Sequence, residues 1–412
     1  MSGLGADGAA IEAHGLLEPG FEPVRDAFLH NFAKGRELGA AFCVHVGGRK
    51  VVDIWAGYFD EAGTRPYGDD ALQLVFSTTK GATAICANVL AQRGELDLDA
   101  PVSEYWPEFA KESKEALPVR YLLTHQAGLP AVDRHLSPEE LWAWDPAIEA
   151  LEAQAPFWEP GTAHGYHAVS YGYLVGEVVR RVTGRSLGTF FAEEIARPLG
   201  LEFYIGLPAE LEARVSPLAT EPIDVPADGS GPEGGAGANA LAGFASTLLA
   251  RALSMGGAIR DVAYLNQREW HAAEVPAANG ITNARSLSRL YAALIGPVDG
   301  GPSQPLFEPA QLEKARTVHT SGPDQVFASV GMPLEQRIGL GFWRANEFAQ
   351  FGGEGAFGHS GAGGSYGFCD PELGLSVGYV MNKMSASIVG DPRARRLVNA
   401  VYQCVGSEAK YS

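Results

Sequence analysis

Residues 74–84 read LVFSTTKGATA, in which a serine follows an apolar run and precedes a helical pattern. Apolar side chains recur at helical spacing as far as Gly94, which is typical of a helix with one face in the core. Ser77 therefore lies at the N-terminal turn of this helix, and Lys80 follows one turn later. The pattern predicts that an apolar strand leads into a helix and that the hydroxyl and the amine lie close together.

A serine hydroxyl is a weak nucleophile at neutral pH, so it needs a nearby base and donors that stabilise an oxyanion. Lys80 can be that base, because burial and the positive end of the helix dipole would lower its pKa. The helix start also directs the Ser77 amide at a developing oxyanion. The alternative is a helix cap followed by a solvated lysine, but the apolar segments around Ser77 favour an acyl-enzyme hydrolase.

The composition is that of an ordinary globular protein, with 412 residues, of which 46% are hydrophobic and 19% charged. A formal net charge of −18 argues against nucleic acid or an anionic membrane as a partner. The N-terminal segment lacks the basic and apolar regions of a signal peptide, and no apolar run is long enough to span a membrane. We therefore expect a soluble, cytoplasmic protein.

Neither the cysteines nor the histidines follow a metal-binding pattern. His164 and His167 are three apart without further ligands at zinc spacing, which is more typical of a polar loop. We expect no metal and no cofactor. Four cysteines lie far apart, lack CxxC spacing and are expected to be free thiols: Cys43, Cys86, Cys369 and Cys404.

Both ends of the chain show strand and helix patterns. Residues 21–35 have helical spacing, and two apolar strands then flank a Gly-Gly turn at 47–48. Near the other end, a turn at 370–374 joins two alternating strands, and Asp391 caps a last helix. This arrangement suggests that the two ends of the chain build one sheet.

The middle of the chain is mainly helical. We expect a single domain, 1–412, in which residues 20–75 and 335–412 form a sheet subdomain and residues 76–334 a helical one. Residues 221–240 are rich in glycine and proline and are expected to form a flexible surface loop.

Three segments, LVFSTTKGATA, RGELDLDAPVSEYWPEF and LLTHQAGLP, resemble the serine β-lactamase and DD-peptidase superfamily. The likeness is to the class C-like branch that contains the family VIII carboxylesterases, and it covers roughly residues 25–405. The resemblance implies an α+β, β-lactamase/transpeptidase-like fold. In this fold an antiparallel sheet made by the two ends of the chain is flanked by helices, with a mostly helical subdomain inserted.

The resemblance also implies a catalytic tyrosine, whose phenolate near the lysine relays a proton between nucleophile and leaving group. The matching segment, FWEPGTAHGYHAVSYGYLVGEVVRRVTG, places Tyr166 at this position. Tyr171 and Tyr173 compete for the role, and the alternative is that Tyr166 only packs. Tyr166 is favoured by its spacing to the preceding Trp-Glu-Pro-Gly.

The third family motif is Gly358-His359-Ser360-Gly361 in this chain. The resemblance implies that His359 donates a hydrogen bond to the tyrosine or to substrate. It also implies that the Ala362 amide is a second oxyanion donor beside the Ser77 amide. The alternative is an edge-strand histidine bonded to a loop.

Two departures from the β-lactamase pattern bear on substrate choice. Ala168 replaces the asparagine of Tyr-x-Asn, and His359 replaces the lysine of Lys-Thr-Gly. Both losses favour small, neutral ester substrates. Apolar or motif residues expected to contact such a substrate are Phe76, Trp158, Trp343, Ser360, Gly361 and Tyr366.

Two further motifs match only in letters. Residues 363–367 fit GxSxG around Ser365, but that elbow needs a helix after the serine, and a strand pattern follows here. Residues 353–358 fit GxGxxG without a preceding strand or a following helix, which indicates a mobile loop beside the site.

The sequence therefore predicts a carboxylesterase that acts through a Ser77 acyl-enzyme on a small-molecule ester. An acyltransferase, a β-lactamase, a D-amino-acid peptidase or an amidase would use the same residues. An inactive binding module is disfavoured because Ser77, Lys80 and Tyr166 are all present. The oligomeric state stays open.

Overall fold

The computed structural model describes most of the chain, and the loop expected at residues 221–240 lies outside the described residues. The described residues are 3–4, 10–219, 246–259, 261–346, 349, 351–385 and 390–407. No helix in these ranges is long and apolar enough to cross a membrane.

A nine-stranded antiparallel sheet forms the centre of the fold, in the order β3-β5-β4-β14-β13-β12-β11-β10-β9. Its strands are β3 (His14–Leu17), β4 (Gly39–Val46), β5 (Arg49–Gly57), β9 (Thr320–Pro323), β10 (Glu335–Ile338), β11 (Trp343–Arg344), β12 (Phe357–Ser360), β13 (Tyr366–Asp370) and β14 (Leu375–Met381). Two small sheets contain β1 (Gly3–Leu4), β2 (Ala10–Ile11), β6 (Gln73–Leu74), β7 (Phe203–Tyr204) and β8 (Ile281–Thr282).

Helices flank the sheet and fill most of the middle of the chain. They are α1 (Glu22–Ala33), α2 (Thr79–Gln92), α3 (Val102–Tyr105), α4 (Arg120–Leu123), α5 (Pro138–Trp142), α6 (Asp145–Ala153), α7 (Ser170–Thr183), α8 (Leu187–Phe191), α9 (Arg197–Leu199), α10 (Leu248–Ser254), α11 (Val262–Leu265), α12 (Arg268–Ala272), α13 (Ala284–Ile295), α14 (Pro309–Arg316), α15 (Gln325–Ala328) and α16 (Pro392–Cys404).

The strands of the two ends meet in the middle of the sheet, as predicted. Val44 of β4 lies opposite Val377 of β14, so the N-terminal hairpin pairs directly with the C-terminal one. The turns at 47–48 and 370–374 join the expected strands. Asp391 caps α16 by accepting the Arg393 amide, so the predicted start of the last helix is confirmed.

The sheet also takes strands from outside the ranges expected for a sheet subdomain. β3 precedes residue 20, and β9 precedes residue 335. In addition, α13 comes from the mainly helical middle of the chain and packs on β4, β13 and β14. The division into two subdomains stays a prediction.

Strand register determines which side chains face the helical part of the molecule. Side chains alternate between the two faces of a sheet, so the paired residues His359 and Gly367 share one face, while Ser360 and Tyr366 share the other. A Cβ on Gly367 would lie 2.7 Å from the Tyr291 ring of α13, so glycine lets this helix pack closely on the sheet. His359 therefore projects to the side where α13 packs.

Candidate active site

The turn before α2 brings Ser77 out of a short strand. The Val75 amide donates to the Gly280 carbonyl at 2.9 Å, which anchors the chain just before the turn. Phe76 adopts a φ of 46°, in the left-handed region that non-glycine residues rarely occupy. Such strain persists where surrounding structure over-determines it, often at functional sites. The turn leaves Ser77 half-buried at the start of α2, as the sequence predicts.

Lys80 lies on the first turn of α2 with its side chain fully buried. Its Nζ lies 3.1 Å from Ser77 Oγ, and it donates to the carbonyls of Ala168 at 2.6 Å and Ala277 at 3.0 Å. Within the described ranges no carboxylate forms an ion pair with it. Burial therefore lowers the pKa of Lys80 well below its ordinary value.

The three contacts of Lys80 suit a neutral amine. A neutral amine has two N–H groups and one lone pair. The N–H groups match the carbonyls of Ala168 and Ala277, and the lone pair matches the Ser77 hydroxyl. The lowered pKa favours this state, in which Lys80 can take the proton of the nucleophile.

Tyr166 reaches the same hydroxyl oxygen, since its O–H donates to Ser77 Oγ at 2.7 Å. Burial raises the pKa of Tyr166, the hydrogen bond to Ser77 lowers it, and the nearby Asp324 raises it again. The net effect is a raised pKa, so the free protein holds a neutral phenol rather than the phenolate that the family resemblance implies. In this state Tyr166 can donate a proton, and a neutral Lys80 can accept one.

The Tyr166 ring packs among residues that the sequence did not single out. Phe327 stacks on it with ring centroids 5.9 Å apart, and His125 lies 5.4 Å away on the same measure. Phe327 lies on α15, whose N-cap is Asp324; that carboxylate accepts the Val326 and Phe327 amides. An aspartate two residues before an apolar pair is a common capping pattern. The sequence therefore offered a signal for α15 but none for its contact with Tyr166.

The two competing tyrosines do not contact Ser77. Tyr173 donates its hydroxyl to the Leu141 carbonyl at 2.9 Å, which fixes it inside the helical part. The Tyr171 ring centroid is 5.9 Å from Lys80 Nζ, and its buried hydroxyl has no hydrogen-bond partner among the described residues. Of the three tyrosines, Tyr166 is the one with a hydrogen bond to the candidate nucleophile.

His359 is buried and stacks on Trp343, with ring centroids 4.1 Å apart. Its Nδ1 lies 2.7 Å from the Ser360 carbonyl, which can only accept, so Nδ1 carries the proton. Burial and the nearby Lys80 lower the pKa of His359 well below its usual value. Nε2 is therefore an acceptor, and it has no partner in the described structure.

This arrangement differs from the hydrogen bond to the tyrosine or to substrate that the resemblance implies for His359. The two rings are 6.3 Å apart between centroids and are nearly parallel, so they contact through their faces. The Nδ1–H of His359 already donates to the Ser360 carbonyl, so it is not available to another acceptor.

The two candidate oxyanion amides have no partner in the described chain. The Ser77 and Ala362 N–H groups donate no hydrogen bond there, although most of their neighbours do. Ala362 is exposed and opens a short 3-10 turn, Ala362–Gly364, directly after β12. Both amides are thus available to a bound oxygen atom.

Six residues are expected to contact substrate, and all but Tyr366 are described first. Phe76 and Trp343 lie next to the nucleophile and the tyrosine: Phe76 directly precedes Ser77, and the Trp343 ring is 5.4 Å from that of Tyr166. Ser360 and Gly361 are half-buried at the end of β12, and Trp158 packs edge-on against His167.

Tyr366 is the exception among these six residues. Its side chain lies on the opposite face of the sheet from His359, against Phe351 and Phe368. Tyr366 therefore packs in the core behind the site, and we do not propose it as a substrate contact.

The remaining motif residues have structural partners. His167 donates from Nδ1 to the Gly165 carbonyl and accepts the Leu129 amide at Nε2, so both ring nitrogens are occupied. All four cysteines are free, as expected. Ser365 is fully buried and leads into β13 rather than a helix, and the Gly353 amide donates to the Tyr402 hydroxyl at 2.8 Å.

With this geometry in place, comparison with known proteins identifies the family. The family model described as Beta-lactamase matches residues 24–400. The chain belongs to the Beta-lactamase family. A protein similar to this Beta-lactamase family member is the esterase/beta-lactamase LipL of Mycobacterium tuberculosis, 34% identical over 411 residues, which cover 94% of this chain and 90% of LipL.

Solved structures of this family share the fold. A family VIII carboxylesterase is 38% identical and superposes with a TM-score of 0.83, over 95% of this chain and all of that one. A penicillin-binding protein homolog from Caulobacter crescentus is 37% identical, with a TM-score of 0.82 over 95% of this chain and 100% of its own. EstA from Arthrobacter nitroguajacolicus is 31% identical, with a TM-score of 0.83 over 96% and 99%.

Proposed function

We propose that this protein is a carboxylesterase that hydrolyses small, neutral acyl or aryl esters through an acyl-enzyme on Ser77. One observation carries the proposal. Ser77 Oγ is held between Lys80 Nζ at 3.1 Å and the Tyr166 hydroxyl at 2.7 Å. A nucleophile within hydrogen-bond reach of both a neutral amine and a neutral phenol has a base and an acid for each half of the reaction.

In acylation, Lys80 takes the Ser77 proton while Oγ bonds to the ester carbonyl carbon. The Ser77 and Ala362 amides stabilise the oxyanion. When the carbon–oxygen bond to the alcohol breaks, Tyr166 gives its proton to the leaving alkoxide and regains one from the Lys80 ammonium. In deacylation, a water molecule attacks the acyl carbon and gives a proton to the same Lys80 and Tyr166 pair. The bond between the acyl carbon and Ser77 Oγ then breaks, and Oγ receives a proton from this pair.

Two features support a neutral substrate. Position 168 is an alanine whose carbonyl is bound to Lys80, so no side-chain amide is available there for an acylamino group. His359 is buried, and its lowered pKa keeps it neutral where a β-lactamase would have a lysine. The site therefore lacks a fixed positive charge at this position to attract a substrate carboxylate.

The relatives support an ester substrate as well. The family VIII carboxylesterase is named for ester hydrolysis, and its match covers 95% of this chain. LipL carries the names of both esterase and β-lactamase, so a secondary β-lactamase activity is the second candidate. An acyltransferase or an amidase would use the same Ser77, Lys80 and Tyr166 with another acceptor or leaving group.

Active-site labelling tests the proposal most directly. We expect a fluorophosphonate to modify Ser77 in the folded protein, as read by peptide mass spectrometry, and Ser77→Ala to abolish both labelling and turnover. Steady-state assays with p-nitrophenyl acetate and butyrate, nitrocefin and a D-Ala-D-Ala peptide then rank the substrates. An unlabelled Ser77 would refute the mechanism, and a preference for nitrocefin would overturn the substrate class.

A further inference from the structure

The segment that carries the Ala362 amide is rich in glycine, so its own sequence restricts the backbone little. The oxyanion loop, residues 361–364, reads Gly-Ala-Gly-Gly, and Gly363 and Gly364 have φ values of 80° and 126°. Glycine restricts the backbone least of all residues, so this sequence cannot fix an amide by itself. A donor stabilises a transition state only when it is held in place before the reaction, so contacts from outside the loop must hold it.

Ser365 supplies the first contact, at the end of the loop. Its Oγ donates to the Val75 carbonyl at 2.7 Å and lies 3.0 Å from Thr78 Oγ1, which must then be the donor to it. Its own carbonyl accepts the Gly361 amide at 2.8 Å, which closes the loop on itself. Val75 and Thr78 lie on either side of Ser77, so one fully buried side chain ties the loop to the turn of the nucleophile.

Arg393 supplies the second contact, from behind. Its guanidinium is only 2% exposed and donates from Nη2 to the Gly363 carbonyl, the central peptide of the loop. The same carbonyl accepts the Ser385 amide at 2.9 Å. Two carboxylates hold the guanidinium, Glu37 at 3.0 Å and Asp391 at 2.7 Å.

We propose that Ser365 and Arg393 are positioning residues that fix the Ala362 amide relative to the Ser77 amide. Ser365 links the two amide-bearing segments, and Arg393 holds the middle of the loop against the start of α16. Neither side chain is placed to touch the reacting atoms. The inference rests on the proposed function, because it assumes that these two amides bind the oxyanion.

A positioning role predicts a specific kinetic pattern. Ser365→Ala removes the hydroxyl and should lower kcat by about 10- to 100-fold with KM changed less than about twofold, because a small misplacement affects the transition state most. Affinity for phenylboronic acid, which forms a tetrahedral adduct with the serine, should fall by a similar factor. Arg393→Lys keeps the charge but loses the fork of donors, and the same pattern is expected.

Ser376→Ala is the matched control. Ser376 is fully buried like Ser365; it lies on β14, and its hydroxyl donates to the Ser288 carbonyl at 2.8 Å, away from the oxyanion loop. This variant loses a comparable buried hydrogen bond, so it should lower the melting temperature while kcat and boronic acid affinity stay within about twofold of wild type.

The outcomes separate this inference from the proposed function. Wild-type kcat and boronic acid affinity in folded Ser365→Ala or Arg393→Lys would overturn the inference alone. Absence of ester hydrolysis or of Ser77 labelling in the wild type would overturn the proposed function. If alanine at 365 prevents folding, Ser365→Cys keeps the shape of the side chain with a slightly larger group that is a weaker donor. It should show a smaller loss in the same direction, and unchanged kinetics would again refute the role.

Discussion

Lys80 Nζ lies 3.1 Å from Ser77 Oγ, at the end of a side chain that no solvent reaches. Its other two contacts are backbone carbonyls, so no carboxylate among these contacts stabilises the protonated form of the amine. Lys80→Arg tests this, since a guanidinium cannot lose its proton at these pH values. We expect kcat for p-nitrophenyl butyrate to fall by about 10²- to 10⁴-fold. Activity within tenfold of wild type would show that Lys80 is not the base.

The pH dependence of the reaction should report the same group. Burial lowers the pKa of Lys80 well below its ordinary value near 10.5, and the deprotonated amine is the active form. Activity should therefore rise with pH as Lys80 loses its proton, and the rise should be complete well before pH 10.5. The measurement is a kcat/KM profile corrected for spontaneous ester hydrolysis. A profile that rises steadily up to the ordinary lysine pKa would contradict a neutral Lys80.

The hydroxyl of Tyr166 can be removed while its ring is kept. Tyr166→Phe preserves the packing on Phe327 and Trp343 but loses the donor to Ser77 Oγ, so kcat should drop by about 10²- to 10⁴-fold. Tyr171→Phe is the matched control, since the Tyr171 hydroxyl is buried without a partner in the described structure. We expect its kcat to be close to wild type; equal losses in the two variants would assign no special role to Tyr166.

Asp324 should make stability depend on pH. Burial raises its pKa from 3.8 to about 6, so the folded protein binds this proton more tightly than the unfolded chain. Its stabilising contribution is therefore complete below about pH 4 and is lost as the pH rises through about 6, by about 2–3 kcal/mol. Asp324→Asn removes this titration.

Denaturant unfolding of both proteins at several pH values measures the effect. The free energy of unfolding of Asp324→Asn minus that of wild type should increase between about pH 4 and pH 7, because all other groups are shared. A loss of the α15 cap would shift this difference by the same amount at every pH. A difference that does not change with pH would show that Asp324 titrates normally.

Much of this architecture could be predicted from local patterns. The hairpins around residues 47–48 and 370–374, α1, and α16 with its Asp391 cap follow from turn residues and apolar spacing. The helix after Ser77 follows from the same kind of pattern. These features depend on residues that are close in sequence, so the local sequence pattern is sufficient to predict them.

The limits of the sequence appear at Tyr366 and Asp324. Tyr366 adjoins the Gly-rich segment, yet strand alternation turns it to the far face of the sheet, and which face is the far one depends on the helices that cover it. Asp324 lies 158 residues from Tyr166 but affects its pKa, and no pattern near either residue signals this proximity.

By itself, the sequence determined that Ser77 lies at the N-terminal end of a helix with Lys80 three residues later, because helical periodicity is a local property. Only the tertiary structure lowered the pKa of that lysine. The carbonyls of Ala168 and Ala277, 88 and 197 residues away, close over the amine and exclude water. Desolvation depends on all atoms that surround a charge, whatever their distance along the chain, and this turns a common Ser-x-x-Lys spacing into a candidate nucleophile with its base.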